Sequence, residues 1–440
     1  MDNKRVRVGL VGFGIVGSGV AKILLENAAE ITARTGVSLE LACVVDTDLN
    51  RSRPVSLPAG LLTSDLNRML NDRSIDIGVE LVGGTGFARQ LHHKILESGK
   101  HVVTANKALL AEHGPELYAA ARAAKKCIAF EASCCGGMPI ISAIRTGLAA
   151  NHITALYGIL NGTCNYILSN MTLKNMDFAS ALRQAQEKGY AEADPKLDIN
   201  GSDSAHKLTI LGSLAFGCEI PYSSVYVEGI EGVRIEDIQH GLEMGYVIKL
   251  LAIGQRDPQG KISLRVHPSF ISKNTPLARV TGPFNAVSIF GHAVGNTLYF
   301  GRGAGMMPTA SAVVADLVEV ALGNSQTLFD NMRWTPADQT RALLSDIGAI
   351  NSRFYIKVMA KDRPGVVAAY GKILGDHNIS ISGALQHEGL GPENSVPVVI
   401  TTHPTQQKNM VAALDQFQKL DVVCGKPVCI RILDIPEDSE

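Results

Sequence analysis

The segment Gly12-Phe13-Gly14-Ile15-Val16-Gly17 follows the apolar run Val6–Val11 and precedes a helical pattern with Val20, Ile23 and Leu24. A glycine-rich turn between a strand and a helix lets backbone N–H groups approach a pyrophosphate, whose charge the helix N-terminus favours. The alternative is a turn that only packs the helix against the strand. The strand–turn–helix context favours a dinucleotide site. Its predicted contacts are Gly12, Phe13, Gly14, Ile15, Val16 and Gly17.

The region from Arg5 to about Ile144 alternates short apolar runs with helical stretches. The predicted strands are Val6–Val11, Leu39–Val45, Ile77–Leu81, His101–Thr104 and Cys127–Glu131. The predicted helices are Ala21–Glu30, Asp65–Asn71, Ala88–Ser98 and Pro115–Lys125. Alternation with continuously apolar strands indicates a parallel sheet covered on both faces. We therefore assign residues 1–145 to a Rossmann-like α/β domain, in which ligands bind beyond the carboxyl ends of the strands.

The remaining residues divide into a mixed region, a linker and a small C-terminal unit. Residues 146–324 predict an α+β domain, and the pattern loosens around Pro336 and Gly348, which predicts a linker over 325–350. The predicted elements of residues 351–440 are strand Phe354–Ala360, helix Gly365–Gly375, strands Ile379–Gln386 and Val396–Thr402, helix Thr405–Leu420 and strand Val428–Leu433. That βαββαβ order is typical of a ferredoxin-like layer of helices on one sheet face.

The composition excludes several classes of protein. A net charge of −1 gives no field that attracts nucleic acid or an anionic membrane, and 5% aromatic residues argue against base-stacking platforms. Lys4, Arg5 and Arg7 precede the uncharged run Val8–Ala21, but its five glycines make a poor signal helix. No other segment approaches the ~18 apolar residues of a membrane span. Eight scattered cysteines without zinc spacing predict reduced thiols in a cytoplasmic protein.

The ribose end of the predicted dinucleotide site leaves two cofactors open. Asp46 is the next acidic residue at a strand end, beyond the usual offset of ~20 residues, and an insertion around Ile31–Ser38 would account for the difference. A carboxylate at this position accepts from a ribose 2′-hydroxyl and favours NAD. Arg51 and Arg53, just after it, would instead hold a 2′-phosphate and favour NADP.

Two lysines stand out as candidates for chemistry. Lys107 follows the strand His101–Val103, where it is either a solvated loop charge or, as we favour, directed into the cleft. Asp203 and Lys207 are four residues apart at the start of a helix, where Asp203 or Ser202 is a candidate N-cap. The simple interpretation is an exposed ion pair. Because the helix that follows is apolar, we expect partial burial to lower the pKa of Lys207 towards a useful range.

The pattern A-x3-G-Y-A…D-P-x2-D-I-x-G-x-D-x3-K from Ala185 to Lys207 resembles the signature of the homoserine dehydrogenase family at every defining position. Other segments that resemble the family are Gly12–Gly17, Glu80–Gly84, Thr104–Lys107, Asn161–Thr163, Gly303–Gly305 and Pro308–Ala312. The C-terminal unit resembles an ACT domain, and the chain has no aspartate kinase region, which matches the monofunctional form. The resemblance makes residues 146–324 a substrate and dimerisation domain, with about 301–324 packing back on the Rossmann-like domain.

The resemblance implies that L-homoserine and L-aspartate 4-semialdehyde are interconverted with NADP or NAD. Lys207 is then the proton donor and acceptor at the substrate oxygen, Lys107 assists in polarising it, and Asp203 holds the substrate or orients the lysine. Glu192 would bind the substrate ammonium, with Asp198 supporting the same pocket. The cofactor contacts implied are Gly12, Phe13, Gly14, Ile15, Val16, Gly17, Asp46, Arg51, Gly83, Thr104, Lys107 and Gly303.

The segment Glu131–Pro139 resembles a family loop whose backbone carbonyls hold a monovalent cation, which implies a sodium site. Its ligands would be Glu131, Cys134, Gly136 and Met138. The adjacent Cys134 and Cys135 leave a rival function open, a phosphorylating semialdehyde dehydrogenase with a thiolate nucleophile, although no convincing histidine base accompanies them. A second rival is a sensor that binds nucleotide and amino acid without turnover. By resemblance we expect threonine as an inhibitor at the ACT domain and a homodimer or homotetramer.

Overall fold

The structure is a computed structural model, and it describes residues 4–331, 343–386 and 395–436. Part of the predicted linker, residues 332–342, lies outside the described residues. The first seven residues assigned to that linker belong to a helix, Asn324–Asn331, which buries Phe329 with its ring centroid 6.1 Å from that of Tyr118. The aromatic contact explains why this stretch is ordered where the sequence pattern predicts a loose connection.

The N-terminal sheet has six parallel strands in the order β3-β2-β1-β4-β5-β6, which is the doubly wound order. The strands are β1 (Lys4–Val11), β2 (Val37–Val45), β3 (Leu62–Thr63), β4 (Ile77–Glu80), β5 (His101–Thr104) and β6 (Ile128–Ala129). The helices are α1 (Ile15–Glu26), α2 (Ala28–Thr35), α3 (Leu66–Leu70), α4 (Gly86–Glu97) and α5 (Lys107–Ala123). The Rossmann-like fold class is confirmed.

Two of these helices begin more than one turn earlier than the sequence predicts. The first helix begins at Ile15 rather than Ala21, because the glycines at its start pack against other backbone instead of breaking it. The helix predicted over Pro115–Lys125 begins at Lys107 and keeps Pro115 in its interior. The side chain of Asn106 caps it by accepting from Leu109 N at 3.1 Å.

The middle region supplies most of a second, larger sheet. Its helices are α6 (Ile140–Ser142), α7 (Gly162–Lys174), α8 (Phe178–Glu187), α9 (Lys196–Ile199), α10 (Ser202–Phe216), α11 (Ile235–Glu243), α12 (Met306–Leu322) and α13 (Asn324–Asn331). Its strands are β7 (Ile153–Ile159), β8 (Tyr226–Val227), β9 (Tyr246–Arg256), β10 (Ile262–Ser272), β11 (Phe284–Gly291) and β12 (Gly295–Arg302). Helix α12 packs on α1, where a Cβ added at Gly19 would lie 2.9 Å from Ala310 Cβ.

The C-terminal unit continues this second sheet. Its elements are β13 (Asn351–Lys361), α14 (Val366–Asp376), β14 (Ile381–Gln386), β15 (Ser395–Thr402), β16 (Thr405–Gln406), α15 (Gln407–Phe417) and β17 (Val428–Leu433), in the predicted βαββαβ order apart from the short β16. The sheet order is β12-β11-β7-β9-β10-β17-β13-β15-β14. Strand β17 pairs in parallel with β10 from Ser269–Arg431 to Ile271–Leu433, so one sheet spans both regions.

Within the described ranges, no single helix is long and apolar enough to cross a membrane. The consecutive helices α12 and α13 meet the same criteria of length and composition only as a pair, and they are bent by 82° at their junction. Much of α12 is buried in the protein, since it packs against α1.

Candidate active site

The glycine-rich turn joins β1 to α1 and leaves its backbone open. Gly12 has φ +97°, and an added Cβ would lie 2.6 Å from Leu81 O, while a Cβ at Gly17 would lie 2.1 Å from Gly12 O. A side chain therefore fits at neither position. No atom lies within 4 Å of a Cβ at Gly14, and α1 begins at the next residue, Ile15, which is 66% exposed. These residues provide the open helix N-terminus that a pyrophosphate requires.

A cavity of about 330 Å³ opens beside this turn, between the ends of β1 and β2. Asp46 lines it, accepting from Phe13 N at 2.6 Å and from Asp48 N at 2.9 Å. Helix α2 is the inserted element that lengthens the spacing between the glycines and Asp46. Phe13 is buried and Val16 partly buried, so their side chains belong to the core.

The two arginines that follow Asp46 differ in environment. Arg53 donates to Phe13 O at 2.7 Å, to Arg51 O at 2.9 Å and to Asp48 O, and its guanidinium lies 4.7 Å from the Phe13 ring centroid. These bonds commit the Arg53 guanidinium to holding the loop onto the glycine turn. Arg51 is exposed.

The turns after β4 and β5 are joined to each other. Thr104 is buried at the end of β5 and donates from Oγ1 to Glu80 Oε2 at 2.7 Å. Asn106 donates from Nδ2 to Gly84 O at 2.7 Å while it caps α5. Lys107 is the first residue of that helix, so its position depends on both turns.

Three charged side chains meet at the N-terminus of α10. Lys207 Nζ donates to Asp203 Oδ2 at 2.8 Å and to Leu160 O at 2.7 Å. Lys107 Nζ lies 3.1 Å from Asp203 Oδ1. Lys207 and Asp203 are buried, whereas the Lys107 side chain is 37% exposed, so Lys107 carries the cluster to the surface of the cleft. Two cations on one carboxylate leave a net positive charge here, suited to substrate oxygens.

Asn161 is a member of this site that the residue-by-residue prediction did not single out. Its Nδ2 donates to Asp198 Oδ1 at 2.7 Å and to Asp203 Oδ2 at 2.9 Å, and its Oδ1 accepts from Cys164 N to cap α7. The same amide therefore starts a helix and fixes two carboxylates. An asparagine before an apolar helical run is an N-cap signal that marks its position but not its second role.

The prediction that burial lowers the pKa of Lys207 is wrong. Burial does oppose the ammonium form, but the Asp203 carboxylate outweighs it and raises the pKa of Lys207 to about 12. Burial likewise opposes ionisation of Asp203, but Lys207 and then Lys107 hold its pKa well below the usual value. Asp198 forms no ion pair among the described residues, and its pKa is raised by burial and by Asp203. The resting cluster is therefore a charged pair beside a carboxyl that protonates more readily.

Two local predictions around α10 fail or stay open. Gly201, at φ +88°, precedes the helix, so Ser202 and Asp203 lie inside the first turn and neither caps it. Glu192 is exposed, and within the described residues no hydrogen bond or ion pair joins its carboxylate to the lysine cluster. The loop that carries Glu192 is attached to the site through Thr163, whose Oγ1 donates to Tyr190 O at 2.6 Å.

The segment 131–138 lies beneath the cluster and against Gly303. The Glu131 carboxylate caps α6, accepting from Ile141 N and Ser142 N at 2.8 Å each. The backbone carbonyl of Glu131 instead accepts from Cys134 N within the loop. Gly136 N donates to Gly303 O at 3.1 Å, and a Cβ at Gly303 would lie 2.1 Å from Asn285 Nδ2. Across the described ranges, no group of three or more His, Cys, Asp or Glu side chains is arranged to hold a metal ion.

The two adjacent cysteines are buried and poorly suited to nucleophilic catalysis. Cys134 and Cys135 are 0% and 1% exposed, and burial raises the pKa of both thiols. Cys135 Sγ accepts from Asn285 Nδ2 at 3.5 Å, and Cys134 Sγ donates to Lys207 O at 3.8 Å. Because the thiolate is the reactive form, this geometry argues against the thiolate rival.

Comparison with known proteins agrees with this geometry along the chain. Three family models match: "Homoserine dehydrogenase, NAD binding domain" over residues 12–131, "Homoserine dehydrogenase" over 139–318 and "ACT domain" over 354–422. The homoserine dehydrogenase of Pseudomonas aeruginosa is 42% identical over 98% of this chain and 99% of its own length. That of Neisseria gonorrhoeae is 41% identical over 97% of this chain and 98% of its own.

Solved structures give the same result. The crystal structure of a homoserine dehydrogenase from Thiobacillus denitrificans is 43% identical with a TM-score of 0.91, covering 98% of this chain and 99% of that one. The chain belongs to the homoserine dehydrogenase family. It is a homoserine dehydrogenase that uses a nicotinamide cofactor and carries an ACT domain. A hyperthermophilic archaeal homoserine dehydrogenase in complex with NADPH is 25% identical with a TM-score of 0.59, covering 72% of this chain and 98% of that chain.

The residues of this homoserine dehydrogenase fit a nicotinamide cofactor. The glycine turn excludes side chains where a pyrophosphate would lie, and the adjoining cavity ends at a carboxylate. The structure brings together Lys107, Asp203, Lys207 and, through Asn161, Asp198. It leaves Glu192 outside that set of contacts. In a single sequence Asn161 is marked only as an N-cap, and Glu80 carries no individual signal beyond the motif that contains it.

Proposed function

We propose that Lys207 exchanges a proton with the substrate oxygen as L-homoserine and L-aspartate 4-semialdehyde are interconverted. The bound nicotinamide cofactor supplies or accepts hydride at the substrate's C4. Lys207 reaches this role from a fixed position, since Asp203 Oδ2 and Leu160 O both accept from its Nζ. In the reducing direction the ammonium donates the proton, and in the oxidising direction the amine accepts it.

The other members of the cluster position and polarise the substrate. Lys107, on the exposed side of Asp203, stabilises negative charge that develops on the substrate oxygen. Asp198 and the exposed Glu192 bind the substrate ammonium, with the loop around Tyr190 folding over it. Asn161 bridges the two aspartates, because its Nδ2 donates to both carboxylates.

The contact that carries this proposal is the 2.8 Å bond between Lys207 Nζ and Asp203 Oδ2 beside Lys107. Removing a positioned proton-transfer group typically lowers a rate about 10²–10⁴-fold. We expect Lys207→Ala to lose at least about 10²-fold in turnover of L-homoserine while cofactor binding, followed by fluorescence titration, is unchanged. Added methylammonium should restore part of the rate. Near-normal turnover without added amine would remove Lys207 from the mechanism.

The choice between NAD and NADP depends on Asp46 and Arg51 in this proposal. Asp46 faces the cavity and accepts from a 2′-hydroxyl, whereas the exposed Arg51 pairs with a 2′-phosphate. Arg53 takes no direct part, because backbone carbonyls occupy its guanidinium. Asp46→Asn should lower kcat/KM for NAD more than for NADP, and Arg51→Ala should do the reverse. Equal losses with both cofactors in each variant would disprove this assignment.

A regulatory amino acid, with threonine as the first candidate, binds the ACT domain in this proposal. The turn predicted from Asp362 to Gly365 lines a cavity of about 220 Å³ between β13 and α14. The ACT domain also contacts helix α11 of the middle region at their junction. Lys357 Nζ lies 2.6 Å from the buried Asp237 Oδ1 on α11, and Tyr355 OH donates to the same oxygen at 3.0 Å.

Point variants test this regulation better than truncation. Deleting residues after Ser345 would strip β17 from β10 and expose an apolar sheet edge. Asp362→Asn, in the cavity, should abolish inhibition by threonine and leave basal turnover unchanged. Asp376→Asn, on the exposed face of α14, is the matched control. Inhibition that survives Asp362→Asn at the wild-type concentration would place the effector elsewhere.

The sodium site and the oligomer complete the proposal. The carbonyls of Cys134 and Gly136 accept from no donor among the described residues, whereas Met138 O accepts from Ile140 N at 2.8 Å, so the loop retains two carbonyls for a cation. A higher melting temperature in sodium chloride than in choline chloride would support the site.

Light scattering should give a homodimer or homotetramer, and a monomer at micromolar concentration would contradict that expectation.

A further inference from the structure

Glu80, at the end of β4, is a fully buried carboxylate for which the mechanism above has no use. It accepts four hydrogen bonds. Oε1 accepts from Val82 N at 2.9 Å and Gly83 N at 3.1 Å, and Oε2 accepts from Thr104 Oγ1 at 2.7 Å and His92 Nε2 at 3.2 Å. Burying a charge is costly unless every lone pair is used, and here both oxygens are saturated.

These partners belong to the two turns that end neighbouring parallel strands. Val82 and Gly83 form the turn after β4, and Thr104 ends β5. His92 lies on α4, between those turns in the chain, and is itself fully buried. One carboxylate thus joins both turns at the edge of the sheet where α/β proteins bind their ligands.

The bonds continue from Glu80 to Lys107. Thr104 Oγ1, which donates to Glu80, accepts from Asn106 N at 3.0 Å. Asn106 then caps the helix whose first residue is Lys107, and the Lys107 Nζ lies 3.1 Å from Asp203. Any shift of the Glu80 carboxylate therefore moves the first turn of α5, and a misplacement of about 1 Å near the reacting groups can cost about 10²-fold in rate.

We propose that Glu80 is a positioning residue of the reaction, which holds the Val82–Gly83 turn against the cofactor and sets the place of Lys107 through Thr104 and Asn106. This inference rests on the proposed roles of Gly83 and Lys107. The charge is required because only a carboxylate accepts from all four donors at once. A glutamine side chain has one accepting oxygen, and its NH₂ group would place a donor against two of the four donors.

The central test is Glu80→Gln, with Glu116→Gln as the matched control. Glu116 also pairs with a histidine of α4, His93 Nε2 at 2.9 Å, but that pair is partly exposed, and among the described residues it makes no hydrogen bond to Val82, Gly83 or Thr104. We expect Glu80→Gln to raise KM for the cofactor and to lower kcat by about tenfold each. Glu116→Gln should leave both within about twofold. A Glu80→Gln enzyme with both constants within twofold of wild type would overturn the proposal.

Thr104 variants keep the test decisive if Glu80→Gln fails to fold. Thr104→Val removes the hydroxyl and should reproduce the kcat loss of Glu80→Gln, whereas Thr104→Ser retains the hydroxyl and should lose clearly less than Thr104→Val. Combining Glu80→Gln with Thr104→Val should lower kcat little further, because both substitutions disrupt the same hydrogen bond between Thr104 and Glu80. Additive losses, or a Thr104→Ser enzyme as slow as Thr104→Val, would contradict it.

A Lys107→Met background separates this inference from the proposed function. If Lys107 has its proposed role, that variant is slow and Glu80→Gln lowers its kcat little further. If Lys107→Met turns over normally, the proposed role of Lys107 fails, yet the cofactor KM effect of Glu80→Gln should persist. If Glu80→Gln does not raise the cofactor KM in the Lys107→Met background, the proposed role of Glu80 in holding the Val82–Gly83 turn fails.

Discussion

Lys207 and Lys249 are both buried lysines beside helix α7, and their environments are opposite. Lys207 donates to Leu160 O, just before α7, and to the Asp203 carboxylate. Lys249, on β9, donates to Asn165 Oδ1 on α7 at 3.2 Å and to Val280 O at 2.5 Å. In the part of the chain that the structure describes, no carboxylate lies within ion-pair distance of Lys249.

The two pKa values diverge chiefly for this reason. Burial lowers the pKa of Lys249 to about 8, whereas the Asp203 carboxylate reverses the same effect and raises that of Lys207 to about 12. Burial is therefore not what marks a lysine for chemistry in this protein. The distinguishing feature is a partner that keeps the lysine charged at rest beside a second cation, Lys107, that reaches the cleft.

The largest effect should come from exchanging each lysine for methionine. Lys207→Met should lower turnover of L-homoserine by at least about 10²-fold, because the proton-transfer group is lost. Lys249→Met should stay within about twofold of wild type, since its ammonium contacts only the scaffold. Steady-state assays at saturating substrate, with melting curves for both variants, make the comparison. Equal losses in the two variants would show that burial, rather than the Asp203 pairing, defines the site.

Asp203→Asn should make Lys207 resemble Lys249. Without the carboxylate, burial lowers the pKa of Lys207, and the neutral amine that accepts a proton from homoserine forms at lower pH. We expect the alkaline rise of homoserine oxidation to move down by at least about one pH unit. A pH–rate profile tests this.

The exposed i,i+4 pair of Lys372 and Asp376 supplies the control. Asp376→Asn breaks an ion pair of 2.8 Å on α14 and should leave the profile where it is. An Asp203→Asn profile that coincides with wild type would mean that Lys207 is not the titrating base.

The fold was largely predictable because its determinants are local. The strand predicted over Val428–Leu433 has the observed bounds, and the glycine turn lies between a strand and a helix as predicted. Helix starts failed where local signals conflict. Pro115 normally occupies a first turn, yet here it lies inside α5, whose true start depends on the Asn106 cap. The pairing of β17 with β10 joins residues far apart in sequence, and no local pattern encodes it.

The site was predictable in membership but not in energetics. The spacing of Asp203 and Lys207 places them on one helix face, and the structure brings the predicted Lys107 from another domain onto the same carboxylate. The sign of the Lys207 pKa shift could not be predicted, because it depends on whether burial or the carboxylate prevails. Glu80 was missed for a related reason: its four donors come from three separate segments, which only the folded chain brings together.

Lys249→Met should change how stability depends on pH. The folded pKa of Lys249 lies near 8 and the ordinary value is 10.5, so the unfolded chain binds more protons between those values and wild-type stability gains as pH rises. Below pH 8 the full burial penalty of about 3 kcal/mol is present, and methionine removes it. The advantage of Lys249→Met in free energy of unfolding should therefore shrink by about 3 kcal/mol from pH 8 to 10.5. Urea titrations at pH 7, 9 and 10.5 measure it, and a constant difference would refute the assignment.

The smallest effect should be that of iodoacetamide on the native enzyme. Cys134 and Cys135 are buried, and burial raises the pKa of each thiol, so neither offers a thiolate to the reagent. Cys424 is partly exposed and should be the first to react, whereas burial raises the pKa of the Cys429 thiol to about 12 and should slow its alkylation. Mass spectrometry of the treated enzyme, with a urea-unfolded sample as the control for full labelling, identifies the sites. Activity should stay within about 20% of untreated enzyme, since alkylation by itself does not alter Lys207. Loss of activity in proportion to the labelling of Cys134 or Cys135 would instead support a thiolate mechanism, because a catalytic cysteine is inactivated when it is alkylated.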